Sequence, residues 1–335
     1  MRPAQLPIVF GLIHQENDMA RPEINRRQFL SAVAGTTAAV STATIASSLS
    51  ASAAPRARLI PRGRIGIQLF TIRNLVSELG FRAVFEELSR MGYRHVEFAG
   101  YTSSAEPGIT PARIRQLLDD NGLNGIGGHR GINDFRNNME AELDIAETLG
   151  LPYIGTANEP VSPGNRTVAG YKAAAEEFNG FGAAAAARGL KWYHHNHHNE
   201  FRFAADDPGV RLYDLLLSET DPKLVYLEMD IYWAYAGQHI APGFEPVEYV
   251  KANPRRYPLF HAKDGASNPD NPNGYDIVEF GAGDIDFASF YRELRAVGAY
   301  ISLWEQDNAP GTPPELGGAF GAAERSYEAM STLRG

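Results

Sequence analysis

His195 in the run KWYHHNH, Asp230 in VYLEMDIYW, His261 in YPLFHAKD and Glu305 in ISLWEQD each stand where a short apolar run turns polar. Two imidazoles and two carboxylates brought together make a mixed nitrogen and oxygen donor set. Such a set suits Mn²⁺, Zn²⁺, Co²⁺ or Fe²⁺ better than Ca²⁺ or an all-oxygen Mg²⁺ cage. One divalent ion is expected, manganese first, with zinc, cobalt, iron and magnesium as alternatives. An ion held there would act as a Lewis acid, stabilising negative charge that develops on a bound oxygen.

Alternation along a strand divides the histidine cluster. Tyr193, His195 and His197 share one face, and His194 and Asn196 share the other. The ligand is assigned to His195, with the neighbouring His194, His197 and His198 as competitors. A metal-bound neutral imidazole has no lone pair left for proton transfer, so Glu305 is expected to be the base. One base suffices for a same-face aldose–ketose shift or for loss of a group beta to a carbonyl, whereas two-face epimerisation needs two. Lys263 and Glu200 are the further catalytic candidates. Asp264, which follows Lys263, is a candidate for substrate binding, as are Glu97 and His129 at the ends of two other strands, His197 and Trp233. Phe70, Tyr235 and Trp304 are further candidates for an aromatic platform under a sugar ring.

These residues need a frame that brings strand ends together. Eight apolar runs read as strands: Ile65–Phe70, His95–Ala99, Leu123–Gly127, Tyr153–Thr156, Leu190–His195, Leu224–Asp230, Pro258–His261 and Tyr300–Glu305. Eight segments of helical period accompany them: Phe81–Met91, Pro111–Asn121, Asn137–Leu149, Val168–Arg188, Val210–Ser218, Pro246–Asn253, Phe287–Val297 and Ala322–Leu333. Thr110 before Pro111 reads as a helix cap, and Gly92, Gly122, Gly150, Gly189 and Gly298 follow helical turns. Helix-to-strand joins are short, while strand-to-helix joins such as Trp233–Glu245 and Asp264–Asp284 are long and polar. The pattern predicts a single (β/α)8 TIM barrel whose site lies at the carboxyl ends of its strands, over residues 64–335. A doubly wound dinucleotide-binding sheet is disfavoured, because Ile67–Arg73 holds no glycine-rich turn.

At the other end of the chain, Asn25-Arg26-Arg27-Gln28-Phe29-Leu30 leads into a mildly apolar stretch that closes on Ala51-Ser52-Ala53. This reads as a cleavable twin-arginine export signal over residues 1–53, with Met19 an alternative start and residues 54–63 a linker. The stretch is too rich in Ala, Ser and Thr to serve as a stable membrane anchor. The expectation is a periplasmic protein that passes through the twin-arginine machinery. The absence of cysteine excludes disulfides and thiolate metal sites. The chain carries a net charge of −9, and loss of four arginines and three acids with residues 1–53 would leave −10. An acidic surface of this kind argues against nucleic acid as a partner. A homo-oligomer is compatible with the sequence.

The runs GYRHVEFAG, GLKWYHHNHHNEF, LEMDIYWAYAGQ, FHAKD, GAGDID and LWEQD resemble the xylose-isomerase-like barrel family of sugar and sugar-phosphate isomerases and epimerases, over residues 64–333. The resemblance implies a single divalent metal and a substrate that chelates it through neighbouring hydroxyl and carbonyl oxygens. Asp230, His261 and Glu305 fall on the usual ligand places, whereas many epimerases of the family carry glutamate where this chain has His195. Inosose dehydratases, a related branch, have a similar histidine-rich run there. The expected function is therefore a metal-dependent isomerase of a free or keto-sugar. The alternatives are a lyase or dehydratase acting by β-elimination on keto-sugars or 3-keto-glycosides, and a non-catalytic periplasmic sugar-binding barrel. A phosphodiester-cleaving nuclease on the same barrel is opposed by charge and export.

Overall fold

Eight parallel strands form one sheet in the computed structural model, which describes residues 57–294 and 300–335. They are β1 (Ile65–Gln68), β2 (His95–Phe98), β3 (Asn124–Gly128), β4 (Tyr153–Thr156), β5 (Lys191–His195), β6 (Val225–Asp230), β7 (Leu259–Ala262) and β10 (Ile301–Trp304). The remaining pair, β8 (Asp264–Ser267) and β9 (Tyr275–Val278), makes a separate antiparallel hairpin. In the order β3-β2-β1-β10-β7-β6-β5-β4 each strand bonds its neighbour, and the ring is brought together by a parallel bridge between His129 and Gly155. Arg130 N donates to Gly155 O there at 2.8 Å. The protein is a single (β/α)8 barrel, as the sequence pattern predicts.

Nine α-helices lie among the described residues: α1 (Arg73–Met91), α2 (Pro111–Asp120), α3 (Ile132–Leu149), α4 (Val168–Ala187), α5 (Leu212–Glu219), α6 (Ile231–Ile240), α7 (Pro246–Ala252), α8 (Phe287–Leu294) and α9 (Gly318–Thr332). Thr110 caps α2 by accepting from Arg113 N at 3.2 Å, and Gly150 ends α3 in the left-handed region at φ 69°. Helix α6 corrects the sequence reading, which placed a loop from Trp233 onward. Its first turn grows directly out of β6 because Asp230 accepts from Trp233 N at 2.9 Å and so caps it. The predicted loop after His261 likewise contains the β8–β9 hairpin. Residues 295–297, predicted to end a helix, lie outside the described residues.

Side chains alternate along β5 and thereby set the site. Trp192 points outward and packs on Phe178 of α4 with ring centroids 4.6 Å apart. Tyr193 points inward, where it clusters with Ile126, Leu259 and Leu303. His195 therefore faces the barrel interior, above that apolar plug. Residues 57–63, expected as a linker, instead join the barrel: Leu59 and Ile60 are buried, and Leu59 N donates to Leu333 O at 3.0 Å. Apolar side chains at Leu59 and Ile60 make that docking favourable. The expected export signal over residues 1–53 and the first linker residues lie outside the described part. No helix among the described residues is long and apolar enough to cross a membrane.

Candidate metal centre

Neighbouring staves β5, β6, β7 and β10 carry His195, Asp230, His261 and Glu305 at or beside their carboxyl ends. One nitrogen or carboxylate oxygen from each lies within 4.8 Å of the others, and all four residues are buried. Capping of α6 occupies Asp230 Oδ1. It leaves Oδ2 at 3.9 Å from His195 Nε2 and 4.0 Å from His261 Nδ1. Glu305 Oε2 lies 2.8 Å from His261 Nδ1. Lys263 Nζ reaches three carboxylates, at 3.0 Å from Asp230 Oδ2, 2.8 Å from Glu305 Oε2 and 2.9 Å from Asp307 Oδ2. Even so, Asp230 Oδ2 receives no directed hydrogen bond. A buried carboxylate oxygen in that condition, facing two imidazole nitrogens, fits a divalent cation.

Burial and neighbouring charge polarise the cluster. Burial pushes the Asp230 carboxyl up to about 7, with Lys263 pulling it back down. Burial acts the same way on Glu305, but there Lys263 and His261 outweigh it and hold the carboxyl well below the usual range. Lys263 is driven down by burial and carried well above its ordinary value by Asp230, Glu305 and Asp307. His195 is held well below its ordinary value by burial and by His261, which favours a neutral ring. His261 is opposed by burial yet raised well above it by Glu228, Glu305 and Glu97. Burial also pushes His197 down to about 4.

The other candidates divide between the pocket and its supports. His129, His195, His197, Glu305 and Asp307 line a cavity of about 350 Å³, together with Phe70, Arg130 and Asn158. Phe70 is 40% exposed, with the Arg73 guanidinium 4.1 Å from its ring centre, whereas Trp304 is fully buried and belongs to the core. Trp233 stands against His197 and His198, with Lys263 Nζ 5.2 Å from its ring centre. Glu97 lies beneath the donor set rather than at the mouth. It accepts from Tyr193 Oη, from Gln68 Nε2 at 2.7 Å and from His261 Nε2 at 2.7 Å.

Two expected site residues are placed elsewhere. Glu200 is tucked behind β5, where Oε2 accepts from His197 N at 3.1 Å and Oε1 lies 3.5 Å from His194 Nε2. A short turn at Asn199–Phe201 directs it away from the cavity. His194 itself faces outward onto Phe178, as alternation predicts. Asp264 has its oxygens taken by backbone N–H groups of Gly265, Gly281 and Gly283, at 2.8, 2.9 and 3.1 Å. It fastens the loop after β7 and does not face substrate. Glu228 was not singled out by the sequence, yet it touches three of the site's imidazoles. Its signal was there to find, since it precedes Asp230 by two residues and so shares its inward face.

Comparison with known proteins bears on the frame more than on the reaction. An inosose dehydratase of Clostridium perfringens is 27% identical over 199 residues, which cover 54% of this chain and 64% of that protein. The chain thus matches less than two thirds of the length of this curated relative. A sugar phosphate isomerase/epimerase from Parabacteroides distasonis superposes with a TM-score of 0.64 at 23% identity, over 81% of this chain and 94% of that one. The IolI protein, solved with a bound zinc atom, superposes with a TM-score of 0.60 at 15% identity, over 81% and 99% of the two chains. At such identities the solved structures speak for the fold alone. Residues 85–324 match the xylose isomerase-like TIM barrel family, a span that takes in seven of the eight barrel strands, and the chain belongs to that family.

Proposed function

We propose that the protein is a divalent-metal-dependent carbohydrate enzyme in which Glu305 removes a proton from the carbon beside a carbonyl of a free or keto-sugar. The observation that carries this reading is the convergence of His195, Asp230, His261 and Glu305 at the ends of four neighbouring strands, where His195 and Glu305 also line the cavity. The donors to hold the ion are those four, and a bound divalent ion would supply positive charge where the substrate oxygen becomes negative. Manganese is the first choice, with zinc supported by the zinc-bearing fold relative. Glu305, kept ionised by Lys263, is ready to accept a proton, and the Lys263 ammonium beside it can donate to an oxygen. Phe70 offers an apolar face for a sugar ring.

Two reactions share that first step. Returning the proton to the adjacent carbon gives an isomerase. Expelling a hydroxyl or glycosidic oxygen beta to the carbonyl gives a dehydratase or lyase, and the likeness to an inosose dehydratase favours this second outcome. Export to the periplasm, as we propose from Arg26-Arg27, also favours unphosphorylated substrates such as 3-keto-glycosides. Metal analysis, then deuterium uptake from solvent with a panel of sugars and 3-keto-sugars, tests the reading. Exchange at one carbon supports it, and product mass separates isomerisation from elimination. Glu305→Gln is expected to keep most of the metal and to lose about 10²- to 10⁴-fold in turnover. Full activity in that variant would remove Glu305 as the base. Sugar binding that is indifferent to metal removal, without any exchange, would leave only a binding protein.

A further inference from the structure

Beneath the donor set, three imidazoles converge on one carboxylate oxygen. Glu228 Oε2 lies 2.8 Å from His129 Nε2, 3.1 Å from His195 Nδ1 and 3.1 Å from His261 Nε2. Glu228 is fully buried on the inward face of β6, one layer below Asp230. A carboxylate oxygen offers only lone pairs, so each ring turned toward it presents an N–H. Glu97 Oε2 shares the His261 Nε2 contact at 2.7 Å.

The far sides of His129 and His195 fit the same assignment. On His129, Nδ1 lies 3.3 Å from Gln68 Nε2. The Gln68 amide is itself oriented, because Nε2 donates to Glu97 Oε2 at 2.7 Å while Oε1 accepts from Phe70 N at 3.1 Å. An amide nitrogen only donates, so His129 Nδ1 accepts and its proton sits on Nε2, toward Glu228. On His195 the far nitrogen, Nε2, stands 3.9 Å from Asp230 Oδ2, beyond hydrogen-bond length, whereas His261 meets carboxylates on both sides, its Nδ1 lying 2.8 Å from Glu305 Oε2.

We propose that Glu228 is a positioning residue that orients three imidazoles at once and places the proton of His195 on Nδ1, leaving His195 Nε2 as the nitrogen that ring offers to a divalent ion. The His129 and His195 tautomers follow from the contacts alone; the ligand role rests on the metal reading of the proposed function. His129, His195, Glu228 and His261 also lie close enough together to be a metal set of their own. Their arrangement argues otherwise, since the three nitrogens surround Glu228 Oε2 at hydrogen-bond length and the oxygen occupies the hub.

Nitrogen-15 spectra of histidine-labelled full chain, stripped of metal and then titrated with zinc, test the assignment, with a His195→Gln variant identifying the signal. The expected result is a His195 ring protonated at Nδ1 and bare at Nε2. One equivalent of zinc should then shift His195 Nε2. Glu228→Gln is expected to retain its circular dichroism, to populate the other His195 tautomer, and to bind zinc about 10- to 100-fold more weakly. A His195 proton on Nε2 in the unaltered protein overturns the proposal, whether or not the variant folds. So does a variant whose tautomers and zinc affinity match the unaltered chain, or a second zinc per chain that Glu228→Gln alone removes. An unaltered protein that binds no zinc yet carries its His195 proton on Nδ1 sinks the metal reading and leaves the tautomer assignment standing.

Discussion

Lys263 holds a buried ammonium against Asp230, Glu305 and Asp307. Removing that charge leaves carboxylates buried without a cation, at a typical cost of about 3–5 kcal/mol. Lys263→Met is therefore expected to lower the melting temperature in chelator and to regain part of the loss when Mn²⁺ or Zn²⁺ is added, because an ion that binds only the folded state stabilises it. Scanning calorimetry with and without metal checks this; a loss that metal leaves untouched would mean that the ion does not sit among these carboxylates. The same residue scale shows what the sequence could and could not reveal. His195, Asp230, His261 and Glu305 were legible because each ends an apolar run. Glu228 was passed over because it lies inside one, where only its two-residue spacing from Asp230 marks it as inward-facing. Glu200 and Asp264 looked available because nothing in the letters shows that backbone N–H groups hold Glu200 Oε2 and both Asp264 oxygens.

Strands were easier to read than the segments joining them. Buried parallel strands are continuous apolar runs, and all eight were found within two residues of their observed ends. Helix α6 escaped because IYWAYAGQHI is largely apolar, so it shows little amphipathic period and runs on from the apolar β6. Its cap is Asp230, a residue read for chemistry alone. Close strand approach is the element-scale feature most open to test. A Cβ placed on Gly155 of β4 would lie 2.0 Å from Tyr193 O, a backbone atom of the neighbouring strand that carries His195. Gly155→Ala should therefore cost about 1–3 kcal/mol by overpacking. Gly164→Ala, with nothing within 4 Å, should stay within about 0.5 kcal/mol. Equal denaturation midpoints for the two variants would show that β4 and β5 can part at little cost.

For the whole molecule, composition fixed the class and the family match fixed the barrel, while the proposed export rests on residues outside the described part. Arg26 and Arg27 are expected to direct export and Ala53 to end the removed segment. Arg26→Lys with Arg27→Lys should keep the full-length chain inside the cell, whereas the unaltered chain should be recovered outside the inner membrane beginning at Ala54. Cell fractionation with N-terminal sequencing decides it, and equal distribution of the two forms would refute the export reading. The substrate was not legible at any scale, because one barrel hosts many reactions and the cavity lining alone does not name a sugar.

The β8–β9 hairpin rises one residue after Lys263, and Asp264 ties its root to Gly281 and Gly283 on the returning chain. Such stapling makes that side of the mouth a fixed jaw rather than a swinging door. Any closure over a captured sugar would have to come from the opposite lips, and the Lys263 ammonium would keep its place through every turnover.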